Sequence, residues 1–119
     1  MTLREVKEAL EAEVLCGHDQ LDAEVAGGFG SDLVSDSLFF ATPGTVLLTG
    51  LTHPQVVRTA ELMEFAGIVF VRGKRPPQSV VELARERRIP VLLTRHLLFD
   101  SCGLLYAAGL RGCRSAQGR

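Results

Sequence analysis

The sequence has 119 residues, of which 46% are hydrophobic and only 6% aromatic, with no tryptophan. A chain of this length and composition forms one domain with an aliphatic core, which excludes disorder of the whole chain. The formal net charge of −1 disfavours bulk nucleic-acid binding, and no apolar stretch of the sequence is long enough to span a membrane.

The N-terminal part of the chain predicts a helix followed by short extended segments. Thr2 and Glu5 have the spacing of a capping box, which satisfies unpaired amides at a helix start. Apolar residues then recur at helical spacing and predict a helix over residues 3–11. Residues 13–16 predict a short strand, residues 17–20 a turn, and residues 24–28 a second extended piece.

Residues 27–36 combine glycines with two Ser-Asp pairs. The pairs are four residues apart and would share one face of a helical turn, which suits close backbone approach or anion capture. A helix N-cap explains one pair and leaves the other without a reason. A magnesium role for the two aspartates stays open, although two carboxylates without a phosphate loop are weak grounds for it. The candidate ligand-binding residues of this segment are Ser31, Asp32, Ser35 and Asp36.

Three continuous apolar runs, at residues 46–48, 68–71 and 91–93, give the rest of the chain a regular pattern. Each run precedes a helix start, at Pro54, at Pro76-Pro77 and at the potential N-cap Thr94. Such runs predict strands covered on both faces, which means parallel strands with helical crossovers. We therefore predict an α/β fold: a single domain over residues 1–110, with a mainly parallel β-sheet built from βαβ units flanked by helices, and a flexible basic tail over residues 111–119.

Ligands of parallel sheets bind outside the carboxyl ends of the strands, where helix N-termini point their amides. The sequence places hydroxyls, imidazoles and four permanent cations there. Residues 1–50 carry nine acids against two bases, a balance of −7, and residues 51–119 carry eleven bases against five acids, a balance of +6. This asymmetry favours complementary packing of the halves and anionic ligands on the second one; the simpler alternative is that loops are polar because they face water. The candidate ligand-binding residues are Thr49, Gly50, Thr52, His53, Arg72, Gly73 and Thr94.

Recognisable catalytic chemistry is missing from the sequence. The glycines do not complete a dinucleotide fingerprint, and no phosphate loop or nucleophile elbow occurs. We assign no catalytic residue, no metal site and no cofactor. The cysteines Cys16, Cys102 and Cys113 lack paired spacing, and the charged N-terminus is unlike a signal peptide, so we expect reduced thiols in a cytoplasmic protein.

With these motifs in place, the sequence resembles the DRTGG domain family over nearly its whole length. The resemblance depends on the spacing of several short segments, while the sequence departs from the family's namesake residues at two places. His53-Pro54 stands where relatives commonly have Asp-Arg, and Val71-Arg72-Gly73 stands where they have Thr-Gly-Gly. The matching segments are the capped first helix, Leu21-Asp22 with residues 25–28, residues 31–36, the turn at residues 49–54, residues 68–73 with Pro76, and residues 88–92 leading to Thr94.

Relatives with this domain include some phosphate acetyltransferases and pyrophosphatases with CBS domains, and the domain is similar to the N-terminal domain of HPr kinase and to the substrate-recognition domain of Mur ligases. The resemblance implies a non-catalytic regulatory or ligand-sensing module, often a homodimer, that binds a nucleotide or another phosphorylated small molecule. The first alternative is a protein-protein interaction module without a small ligand, accessory to hydrogenase-related or kinase-like partners. The second is an enzyme acting on a phosphorylated or nucleotide substrate.

The Ser-Asp segment is expected to close over the strand ends. This closure would set Ser35 and Asp36 near Thr52 and His53, within the candidate ligand site. Burial of Ser35 and Asp36 in a capping network or a dimer contact would instead make the segment architectural.

Overall fold

The computed structural model describes residues 1–36 and 40–113. Its fold is α/β, with one five-stranded sheet between two layers of helices. Short 3₁₀ turns at His18–Gln20 and Val34–Asp36 interrupt the first connections. In chain order the elements are α1 (Leu3–Leu10), β1 (Glu13–Cys16), β2 (Gly27–Gly30), β3 (Thr45–Thr49), α2 (Pro54–Leu62), β4 (Gly67–Phe70), α3 (Gln78–Glu86), β5 (Val91–Leu93) and α4 (Leu98–Ala107).

The sheet has the strand order β1-β5-β4-β3-β2. Strands β2 to β5 are mutually parallel, and β1 pairs antiparallel with β5 at one edge. The prediction of a mainly parallel α/β sheet is therefore confirmed. Because β3, β4 and β5 are adjacent and parallel, their carboxyl ends meet along one edge of the domain.

Both faces of the sheet are covered, as the continuous apolar runs predicted. Leu47 packs in the core cluster that contains the inner sides of α2 and α3. Val46 and Leu48 point to the opposite face and pack in the cluster that contains the inner sides of α1 and α4. This alternation along β3 gives each face an aliphatic core of its own.

Helix α1 begins as its sequence predicted. The backbone amide of Glu5 donates to the Thr2 hydroxyl at 3.2 Å, and the amide of Thr2 donates to the Glu5 carboxylate at 2.8 Å. These two bonds form the capping box. The helix ends at Leu10, one residue before the predicted limit, because Glu11 adopts a left-handed conformation with φ 51°.

The second extended piece lies later than predicted. The sequence placed it at residues 24–28, whereas β2 spans Gly27–Gly30. A glycine is needed at its start, since a Cβ on Gly27 would lie 2.8 Å from the Cα of Cys113. Residues 111–113 pair with β2, and the amide of Cys113 donates to the carbonyl of Gly28 at 2.8 Å. The rest of the predicted tail, residues 114–119, lies outside the described residues.

Thr94 does not cap the last helix, contrary to the prediction. The N-cap position of α4 is Leu97, and no side chain caps it. The Thr94 hydroxyl instead donates to the carbonyl of Leu10 at 2.8 Å and accepts from the amide of His96. The predicted apolar face of α4 is also only partly covered, because Leu104 is exposed while Leu105 is buried.

Candidate functional site

The candidate site is the sheet edge formed by the carboxyl ends of β3, β4 and β5. The chain after β4 turns sharply, because Arg72 and Gly73 both have left-handed conformations, with φ 65° and 64°. The amide of Arg72 donates to the carbonyl of His96 at 2.9 Å, and that of Gly73 donates to the carbonyl of Thr94 at 2.8 Å. These bonds join the loops after β4 and β5 into one surface.

Asp32 is bound to the end of β3. Its Oδ1 accepts a hydrogen bond of 2.6 Å from the backbone nitrogen of Gly50 and one of 3.4 Å from the hydroxyl of Thr49. The Thr49 hydroxyl in turn accepts from the amide of Leu51 at 3.1 Å. A carboxylate of the chain thus occupies the strand-end amide that a helix-start loop would otherwise offer to an anion.

Arg72 lies across the other side of Gly50. Its guanidinium donates to the carbonyl of Gly50 at 3.2 Å. A Cβ on Gly50 would lie only 2.6 Å from the Arg72 Nη2 atom, so glycine lets the guanidinium lie flat against the backbone. The structure therefore brings Asp32, Thr49, Gly50 and Arg72 into one interacting group.

His53 and Thr94 have structural roles at this edge. The Nδ1 atom of His53 accepts from the amide of Gln55 at 3.0 Å, which makes His53 the N-cap of α2. The Thr94 side chain is only 1% exposed and holds the end of α1 through Leu10. Thr52 is half-buried, and its hydroxyl has no hydrogen-bond partner within residues 1–36 and 40–113.

The Ser-Asp segment combines a side-chain turn with a 3₁₀ turn. The Ser31 hydroxyl accepts from the amide of Leu33 at 2.9 Å. The turn Val34–Asp36 follows and contacts α2. Ser35 is exposed and Asp36 is half-buried, so neither is enclosed in the core. Their proximity to Thr52 and His53 stays a prediction.

A cleft of about 340 Å³ opens beside the end of β5. Three of its polar lining residues, Glu11, Arg95 and His96, were not among the candidate residues chosen from the sequence. The imidazole Nε2 of His96 lies 3.6 Å from the Glu11 carboxylate across this cleft. The cleft is lined by Leu10, Glu11, Thr94, Arg95 and His96.

The cationic side chains of this edge differ in whether they are already ion-paired within the chain. Arg75 is bound to Glu13 on β1 at 2.7 Å. Lys74 and Arg95 are exposed, and neither side chain has a hydrogen-bond or ion-pair partner in the part of the chain that the structure describes. The loops after β4 and β5 therefore each present one exposed, unpaired cation.

Part of the charge asymmetry is satisfied within the chain. Arg75 binds Glu13 and Arg88 binds Asp19 at 3.1 Å, and both pairs join the acidic first half to the basic second half. Hydrogen bonding to Arg88 lowers the pKa of Asp19. All these side chains are more than half exposed, so the pairs contribute little to stability.

The metal-ligand types and the thiols of the described residues can be assessed directly. No three His, Cys, Asp or Glu side chains among them are placed to hold a metal ion. Burial raises the pKa of the thiols of Cys16, Cys102 and Cys113, which is the reverse of what a reactive thiolate requires. Over the same residues, none of the helices has the length and apolar character needed to cross a bilayer.

Comparison with known proteins identifies relatives of this domain. Residues 5–106 match the family model of the DRTGG domain, whereas no curated protein matches the sequence. Among solved structures, the chain is similar to the CBS and DRTGG domains of the regulatory region of Clostridium perfringens pyrophosphatase, complexed with the activator diadenosine tetraphosphate. The TM-score is 0.69 at 16% identity, which supports a shared fold, and the match covers 87% of this chain and 45% of that chain.

Proposed function

The chain belongs to the DRTGG domain family, and from that premise we propose that it is a non-catalytic regulatory module that senses an anionic, nucleotide-type ligand. The proposal also includes a homodimeric state and a cytoplasmic location. The free thiols of the described cysteines support the location. The nucleotide activator of the similar pyrophosphatase region, which contains CBS domains as well, supports the ligand class.

The observation that carries the proposal is the set of cations in the loops of the strand-end edge, one of which, Arg95, lines the cleft. Arg72 is fixed against Gly50, and Lys74 and Arg95 extend from the same edge. The neighbouring cleft of about 340 Å³ is within the size range of small-molecule sites. Phosphate groups of a nucleotide would contact the cations, while its remaining parts would lie in the cleft.

The candidate residues take different parts in this proposal. Arg72 and Gly73 would contact the ligand, together with Thr52, the one threonine of the edge with an unengaged hydroxyl among the described residues. Ser35 and Asp36 would approach from the side on their 3₁₀ turn. The supporting residues, whose polar groups are engaged within the chain, are Ser31, Asp32, Thr49, Gly50, His53 and Thr94.

A thermal-shift screen with nucleotides, nucleotide-sugars and acyl phosphates tests the proposal. A ligand present at 100 times its dissociation constant stabilises the folded state by about 2.7 kcal/mol. The double variant Lys74→Glu/Arg95→Glu should lose that stabilisation, because two cations that would contact the phosphate become anions. Its fold should be retained, because neither wild-type side chain has a partner in the described chain. Arg58→Glu is the control, since Arg58 is an exposed cation on α2 that, like Lys74 and Arg95, has no hydrogen-bond or ion-pair partner among the described residues. A flat response of the wild type to the whole panel would contradict the proposal.

The second candidate function is a protein-protein interaction module without a small ligand, with hydrogenase-related or kinase-like proteins as its partners. It is favoured by the apolar outer side of α4, where Phe99 is 87% exposed. This candidate would be supported if no ligand of the panel stabilised the wild-type chain and if a protein partner bound it through α4.

A further inference from the structure

We propose that the outer face of α4, defined by Phe99, Gly103, Leu104 and Tyr106, is the surface through which two copies of this chain form a homodimer. This inference rests on the homodimeric state in the proposed function and names the surface that would form it. It does not depend on the small ligand, whose site lies at the strand ends.

Helix α4 differs from the other helices in its outward side. Among its ten residues only Asp100 is charged. Phe99 is 87% exposed and Tyr106 is 59% exposed, while Leu105 on the inner side is buried. The outer sides of α1, α2 and α3 carry charged residues instead, as surface helices normally do. An outer side with so few charges is unusual for a helix that faces water and indicates that another surface covers it.

Gly103 lies in the middle of this face. Nothing lies within 4 Å of the position that its Cβ would take, so the fold of one chain does not require a glycine there. Glycine weakens a helix interior relative to alanine. A helix of a second copy crossing at this point would explain the residue, because a missing Cβ lets two backbones approach closely.

A shallow cleft of about 390 Å³ adjoins Gly103. It is lined by His96, Phe99, Asp100, Gly103 and Leu104. The cleft and the projecting aromatic side chain of Phe99 are parts of one surface, so two copies related by a two-fold axis would each offer both. An isologous interface requires this kind of self-complementarity.

The charges next to the face are also self-complementary. The guanidinium of Arg111 lies 4.2 Å from the centre of the Tyr106 ring and donates to the Tyr106 carbonyl at 3.2 Å. If two α4 helices cross antiparallel at Gly103, Asp100 comes opposite the partner subunit's Tyr106. The negative charge of one copy then meets the cation held on the ring of the other, twice per dimer. A second copy therefore fits this surface in both shape and charge.

Analytical ultracentrifugation of the full chain over roughly 1–100 µM tests the inference, a range that brackets typical weak dimers. Gly103→Arg should raise the dimer dissociation constant at least 100-fold. The monomer should keep its fold by circular dichroism, since open space surrounds this position. Leu62→Arg is the matched control, because Leu62 is 73% exposed on α2, and this variant should remain dimeric.

The charge pairing has its own test. Asp100→Arg should weaken the dimer, and Asp100→Arg/Arg111→Asp should restore it. A wild-type monomer would overturn both this inference and the dimeric part of the proposed function. A wild-type dimer that Gly103→Arg leaves intact would overturn the α4 interface alone, and failure of the double variant to recover would overturn the antiparallel pairing.

Discussion

The carboxylate of Asp32 lies 2.6 Å from the backbone nitrogen of Gly50, eighteen residues later in the chain. This bond connects the Ser-Asp segment to the carboxyl end of β3. It also satisfies the amide that would otherwise face an anionic ligand at this strand end. In the proposed function, phosphate therefore contacts the cations of the next two loops instead of this amide.

Removing the Asp32 carboxylate should destabilise the domain. Asp32→Ala leaves the amide of Gly50 and the hydroxyl of Thr49 without their acceptor. We expect a loss of about 1.5 kcal/mol, since hydrogen bonds to charged groups contribute more than neutral ones. Urea denaturation measures this change. Asp22→Ala is the control, because Asp22 makes only an exposed ion pair with Arg4, and equal effects of the two substitutions would contradict this role for Asp32.

Gly50→Ala should move the Arg72 side chain while leaving the stability of the fold nearly unchanged. The new Cβ would meet the flexible end of the Arg72 side chain and displace it, with no backbone atom among its close contacts. The free energy of unfolding should change by less than about 1 kcal/mol, while stabilisation by ATP falls as it does in Arg72→Ala. Thermal shift with and without ATP measures both quantities. An undiminished response to ATP would show that the position of Arg72 is irrelevant to binding.

Thr94→Val should be costly although it preserves the shape of the side chain. The carbonyl of Leu10 and the amide of His96 would lose their partner in a site that is 1% exposed. Unsatisfied buried groups cost about 1–3 kcal/mol each. Thr52→Val, at the same edge, should have little effect on unfolding in the absence of ligand. Chemical denaturation of both variants gives the comparison, and a neutral Thr94→Val would refute the structural role.

Titration of Cys16 should weaken the fold at alkaline pH. Burial raises the pKa of this thiol in the folded state, so the unfolded chain loses its proton first. The stabilising contribution is fully present below the pKa of the unfolded state and is lost as pH rises through the folded-state pKa. Stability measured from pH 7 to 11 should therefore decline less steeply in Cys16→Ala than in the wild type. Identical slopes would contradict this contribution.

The main architecture could be predicted from the sequence because the patterns that indicate it lie within short segments of the chain. Continuous apolar runs predicted β3, β4 and β5, and the spacing of Thr2 and Glu5 predicted the start of α1. Strand β2 was misplaced because its residues are Gly27–Gly30, a composition with little strand propensity. Its glycines are explained by close contacts with residues distant in sequence: Gly27 lies against Cys113, Gly28 against Leu110, and Gly30 against Cys102 on α4.

The same limit applied to the polar residues of the candidate site. Thr94 follows a strand and precedes a helix, so its local pattern predicted an N-cap. Its actual partner is the carbonyl of Leu10, 84 residues away. Asp32 likewise reads as a cap or a ligand-binding residue until the position of Gly50 is known. Local sequence therefore identified the sheet edge. It could not distinguish polar side chains that bind other parts of the chain from those that are free to bind a ligand.

Two-dimensional ¹H–¹⁵N NMR during titration with ATP would locate the nucleotide site residue by residue. We expect saturable shifts of the amides of Thr52, Arg72, Gly73 and Arg95. These shifts should be lost in Lys74→Glu/Arg95→Glu and retained in Arg58→Glu. Absence of shifts at millimolar ATP, or shifts confined to α4, would contradict a nucleotide site at the carboxyl ends of the strands.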